Sequence, residues 1–193
     1  MKNFVVIAFL FVAAAAFGQT TPAAPAQPSQ PPTITMILER SLGYPESEFV
    51  PAAEAMPEDK YNFAPSPSNG EFKGVRTFGQ QVRHVAAAQY MIAAAILSEK
   101  PPVELGGENG PETLKTKAEI VQFLKDSFVY MHKAYTSINE SNATGQVQNP
   151  FGKNKVSRLS LAVLNVGHDF DHYGQMVEYL RMNGIIPPAS RGQ

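Results

Sequence analysis

Val85 to Leu97 reads VAAAQYMIAAAIL, and Gln89 is its only strongly polar residue. A helix that is apolar all round has no face to offer water and must be buried. The run is shorter than the roughly 20 apolar residues that span a bilayer. It therefore reads as the central helix of a bundle, with alanines that let neighbouring helices approach closely. Thr77 and Gln80, just upstream, have the spacing of a capping box and mark the helix start.

Working outward, Thr116 and Glu119 repeat that spacing and open another helix. Its stripe is Val121, Leu124, Phe128, Met131, Tyr135 and Ile138, at helical steps. His132 lies one position off this stripe and reads as a boundary residue rather than a ligand. The last helix has Ser157 as N-cap, and Asn183-Gly184 with Pro187-Pro188 as its stop. Leu161, Leu164, His168, His172, Gln175 and Tyr179 form its expected inward stripe. Near the start of the chain, Ile34, Ile37, Leu38 and Leu42 make a first helical stripe. Gly43-Tyr44-Pro45 threatens a break before a second piece through Phe49, Ala52, Ala53 and Met56. One kinked helix and two short helices both fit. Residues 57–76, 99–112 and 141–156 read as loops, with Tyr61, Phe63 and Phe72 packing down as a lid. Asn139-Glu-Ser141 and Asn142-Ala-Thr144 in the last connection fit the glycosylation pattern. There is no internal repeat and no convincing strand. The fold class that follows is all-α, a four-helix bundle.

The totals bound the function. The chain has 193 residues, 44% of them hydrophobic, and a formal net charge of -1. It lacks the basic footprint of a nucleic-acid-binding protein. Cysteine is absent, which removes disulfides, thiolate metal sites and cysteine nucleophiles together.

Residues 1–18 read as a signal peptide. Lys2 precedes the apolar run Phe4 to Ala16, and Ala16-Phe17-Gly18 supplies small residues for cleavage before Gln19. An uncleaved anchor is the alternative. Residues 19–33 form a Pro-rich linker, with five prolines in fifteen residues. The bundle is expected over 34–188, with a tail at 189–193. The chain is thus expected to be exported, periplasmic or extracellular, with no stable membrane insertion once the signal is removed.

The chemistry lies in the histidines. His168 and His172 are four apart, so a helix stacks them on one face. With His84 from the second helix they make three imidazoles on inward-facing positions. Three neutral imidazoles with an open fourth position describe a catalytic metal site rather than a closed structural one. Imidazole ligation suits zinc, nickel, copper or iron(II). Asp169 and Asp171 flank the pair; for each, a solvated carboxylate on the helix flank is the simpler reading. Gln175 could orient a metal-bound water or satisfy backbone groups.

The run His168-x-x-x-His172-x-Gly174-Gln175, followed by Tyr179-Leu180-Arg181 and Gly184-Ile185, resembles the last helix of the DinB/YfiT-like superfamily. Gln80 to Ala86 resembles its second helix, and Met56 to Tyr61 the turn that ends its first. The resemblance implies an up-down-down-up bundle in which His84, His168 and His172 bind a divalent ion, zinc first, with nickel, iron or manganese as alternatives. It implies a metal-dependent hydrolase or a thiol S-transferase using bacillithiol, mycothiol or glutathione, a small-molecule substrate, no nucleic acid, and often a homodimer. Export departs from the pattern, because those thiols are mainly cytosolic. A non-catalytic exported metal- or ligand-binding bundle rests on the same residues. A zinc protease is a third reading, since His168-Asp169-x-x-His172 resembles H-E-x-x-H. Its aspartate is one methylene shorter than the usual base. A plain bundle whose histidines bind nothing is a fourth.

Overall fold

The computed structural model describes residues 31–107 and 109–192. The expected signal peptide and all but the last three residues of the linker lie outside them. Four helices carry the fold: α1 (Ile34–Ala55), α2 (Phe78–Leu97), α3 (Lys117–Thr136) and α4 (Arg158–Met182). They pack as a ring in which α2 lies against α3 and α4, and α1 against the same two. The sequence neighbours α1 and α2, and α3 and α4, therefore sit across the bundle from one another. Long connections follow from that arrangement.

The helix starts form as their side chains dictate. Thr77 with Gln80, and Thr116 with Glu119, make reciprocal capping boxes, while Thr33 and Ser157 cap α1 and α4. Each satisfies amide donors that the first turn leaves without a helical partner. At the far end of α4, Gly184 takes a positive φ of 72°, the usual glycine termination.

The open question in α1 resolves as one helix. Pro45 and Pro51 both lie inside it, although each removes an amide donor from the ladder. Leu38, Leu42, Pro45, Phe49, Ala52 and Ala53 form one buried face across the proline, and that packing outweighs the lost bonds. Tyr61 and Phe63 close the base of the bundle. The Tyr61 hydroxyl donates to the Ala53 carbonyl at 2.6 Å, and its ring meets Phe78 edge-on at 5.4 Å. Phe63 meets Tyr179 in the same way at 5.7 Å.

Residues 141–156 are not all loop. Strands β1 (Gln146–Gln148) and β2 (Lys155–Ser157) pair antiparallel, with Val147 opposite Val156. Three residues per strand are too few for an alternating pattern to stand out. Val147 is buried against the helices, which anchors the hairpin. Among the described residues, no helix is long and apolar enough to cross a membrane.

The inward face of α4 also differs from the expected stripe. Its buried residues are Leu161, Ala162, Asn165, Asp169, His172, Met176, Tyr179 and Leu180. Leu164 is 47% exposed and His168 half-buried. The two sets share Leu161, His172 and Tyr179, and the face is turned by roughly 60–70°, less than one residue step of 100°. Polar residues occupy part of the buried arc, which is why apolar periodicity misplaced it.

Candidate metal centre

His84 lies in the second turn of α2, and His168 and His172 lie one turn apart on α4. The packing of α2 on α4 brings the three together: their candidate ligand atoms all lie within 4.8 Å of one another. His84 Nε2 and His168 Nε2 are 3.2 Å apart. Two zinc–nitrogen bonds of about 2.05 Å at the tetrahedral angle place their nitrogens about 3.3 Å apart. The donor set, its spacing and its geometry therefore fit one divalent ion. His172 is the most enclosed, at 6% exposure.

The protonation states suit ligation. His168 and His172 are both pushed down to about 4. Burial is the main cause, since it disfavours the charged ring. The neighbouring imidazoles and Arg76 add to the effect. At neutral pH both rings are uncharged and offer lone pairs, the form a metal takes.

A chain of amides sets which nitrogen faces the cluster. Gln81 Nε2 donates to Gln175 Oε1 at 2.8 Å, so Gln81 Oε1 faces the histidines. His172 Nδ1 donates to that oxygen at 2.7 Å. The proton is thereby assigned to Nδ1, from the network, and the lone pair to Nε2. Gln175 Nε2 then donates to Asp171 Oδ2 at 3.2 Å. The chain runs from His172 through Gln81 and Gln175 to a carboxylate at the surface. Such outer bonds fix ring orientation and raise ligand basicity. His168 Nδ1 is buried with no partner among the described residues.

Sequence reasoning did not find Gln81. Its signal is position: it precedes His84 by three residues, so α2 puts both on one face. Gln175 bonds two side chains instead of backbone groups: it accepts from Gln81 and donates to Asp171. Asp171 is exposed, as expected, and closes the amide chain.

Asp169 corrects the reading of a solvated flank. It is fully buried. Its Oδ2 accepts from Gln89 Nε2 and Asn165 Nδ2, both at 3.0 Å, and Gln89 Oε1 accepts from Ser127 Oγ at 2.7 Å. Burial pushes the Asp169 carboxyl up to about 8, against the two amide bonds that favour its charged form. Gln89 is thus the core's polar tie between α2, α3 and α4. His132 is not near the three-histidine cluster. Its ring bonds Glu39 and Glu46 of α1, each at 2.9 Å.

A cleft of about 600 Å³ opens beside the cluster, with His84 and His168 in its wall. Its other walls are Ala88, Met91 and Ile92 of α2, Leu164 of α4, the 105–107 segment and Phe151. The volume is in the range of small-molecule sites. The arrangement can hold an ion at one end of an apolar recess.

Comparison with known proteins adds three findings. The family model for the DinB superfamily matches residues 46–176, a span that contains all three histidines. A solved structure of a DinB-like protein from Bacillus cereus ATCC 10987 is 17% identical, with a TM-score of 0.62 over 81% of this chain and 96% of that one. At that identity the likeness speaks for the fold alone. No curated protein matches the sequence.

Proposed function

The chain belongs to the DinB superfamily, and from that premise we propose that His84, His168 and His172 together bind one divalent ion in an exported metal-dependent enzyme. Zinc is the first choice, with nickel, iron or manganese as alternatives. The single observation that carries the reading is the approach of the three imidazoles, two of them with Nε2 atoms 3.2 Å apart and two held uncharged at neutral pH. When bound, a divalent ion supplies Lewis acidity: it polarises a carbonyl or stabilises the deprotonated form of water or a thiol. Hydrolase and thiol S-transferase chemistry both follow from that property. The protein's own part is to position. Gln81 and Gln175 hold His172 in one tautomer. The apolar walls beside His84 and His168 lower the local polarity there, which strengthens electrostatic interactions.

The proposed substrate is a small molecule rather than a nucleic acid, since the net charge is -1. Export rests on Lys2 and the run Phe4 to Ala16, and the intact mass of the secreted protein tests it, with Gln19 the expected first residue. Homodimer formation is a further part of the proposal, and sedimentation tests it. The site itself is tested by metal content of residues 19–193 beside His84→Ala, His168→Ala and His172→Ala. About one ion per chain in the parent, lost in each variant, is the expected result. Retention of the ion in His84→Ala would overturn the three-ligand assignment. A loaded protein that turned over no ester, amide, epoxide or thiol-conjugation substrate would leave the non-catalytic binding bundle as the better reading.

A further inference from the structure

The cleft beside the histidines has an unusual lining for a site that would take a charged thiol. Among the described residues, its only polar side chains are His84 and His168 themselves. Among the described residues, no Lys, Arg, Asp or Glu lines it. A ligand with several charges would leave them desolvated and unpaired there, at a cost of several kcal/mol each. The wall contributed by α2 has a direction. His84, Ala88, Met91 and Ala95 recur at steps of four, three and four, so they lie along one face of the helix. His84, Ala88 and Met91 line the first cleft, while Met91 and Ala95 line a second of about 470 Å³. Met91 is common to both. The second recess continues along α2 from Met91 but is partly polar, with Ser98, Glu99 and Gln148 in its wall. The apolar part of the groove therefore runs from His84 to Met91, with Ala88 beneath and one adaptable thioether at its end. From His84 to Met91 the helix rises about 10 Å.

We propose that this groove receives an amphiphile: a polar, metal-ligating head at the histidines and an unbranched apolar tail laid along α2 past Ala88 to Met91. This rests on the metal reading for the head group, while the tail site stands on the cleft alone. Leu164 and Phe151 cover the tail from the opposite side. They are 47% and 52% exposed, apolar area that a bound tail removes from water. The charged arm of the comparison is glutathione, which carries the thiol but no apolar tail.

The test uses the Co(II)-loaded protein and a series of alkyl hydroxamates, from acetohydroxamate through butano- and hexano- to octanohydroxamate. Changes in the visible Co(II) bands report the head. Affinity is expected to rise about three- to fourfold per methylene while the tail fills the groove. Leu164→Gln and Ala88→Phe, one a polar wall and one a filled floor, should each flatten that rise. Leu164→Gln alters a half-exposed side chain, so folding is preserved if Ala88→Phe fails. A flat series, or glutathione binding as tightly as octanohydroxamate, would overturn the tail site. If the protein takes up no Co(II), the metal reading fails by metal content, and the tail site is then read separately. The metal-free protein and straight-chain alcohols, followed by displacement of an apolar fluorescent dye, should give the same dependence on chain length; no dependence would overturn it.

Discussion

Replacing Gln81 by methionine removes the acceptor of the His172 Nδ1 proton without changing side-chain volume much. Gln81 is 1% exposed and His172 is 6% exposed, so water cannot readily take its place. Two effects separate. A buried N–H left without a partner costs about 1–3 kcal/mol of folding stability in the metal-free protein. The second effect is on the ion. Freed of the 2.7 Å bond, the ring no longer has one tautomer or one orientation. Loss of an outer partner of this kind lowers metal affinity about 10–100-fold, which is about 1.4–2.7 kcal/mol. Competition for zinc against a chromophoric chelator near neutral pH measures it, with urea unfolding of the metal-free protein alongside. Gln81→Glu restores an acceptor for His172 but not the donor to Gln175, so its affinity should return to within about tenfold of the parent. Gln175→Ala cuts only the outer link and should cost less than Gln81→Met. The reasoning is refuted if Gln81→Met, folded by circular dichroism, binds zinc as tightly as the parent.

Gly110 has a φ of 73°, and a Cβ there would meet the Arg83 carbonyl oxygen at 2.6 Å. Gly110→Ala should therefore destabilise by about 1–3 kcal/mol, read as a lower urea midpoint, because backbone rather than a flexible side chain is in the way. Gln89→Leu removes one of two donors to the buried Asp169 Oδ2 and one of two acceptors for Ser127 Oγ, with Asn165 and the Leu124 carbonyl left as the others. It should cost a further about 1–3 kcal/mol, and thermal unfolding measures it. For His132, burial lowers the pKa, but the bonds to Glu46 and Glu39 outweigh it and the net shift is upward from 6.5. A group with a raised folded value contributes stability fully below its unfolded value and loses it as pH rises through the folded one. The stability gap between parent and His132→Gln should therefore be widest below the unfolded value of about 6.5 and close as pH rises through the raised folded value; a gap that widened with pH would refute the clamp.

The readings that came from single segments survive contact with the structure in proportion to how local their physics is. Both capping boxes depend on side chains three residues apart and form as their spacing requires. The stripe of α3 was legible because Val121, Leu124, Phe128, Met131 and Tyr135 are apolar and all buried. The α4 stripe was misread because Asn165 and Asp169 stand at buried positions, and a pattern sought in apolar residues passes over them. Asp169 became a core residue only because Gln89 of α2 reaches it from across the bundle. The short hairpin of β1 and β2 was invisible for a different reason: its stability comes from Val147 packed on the helices, not from three-residue strands.

Local sequence is enough to form four helices and to set where most of them begin. It also determined that the last one stacks His168 over His172. Hydrophobic period, caps and breakers act within a turn or two of the chain, and no distant contact is needed to evaluate them. The tertiary structure alone decided the rest: one continuous α1 across Pro45, the approach of His84 to His168, the Gln81–Gln175–Asp171 chain behind His172, and the apolar groove along α2. Each of these joins residues from different helices, and the distance between helices is set by how whole faces pack.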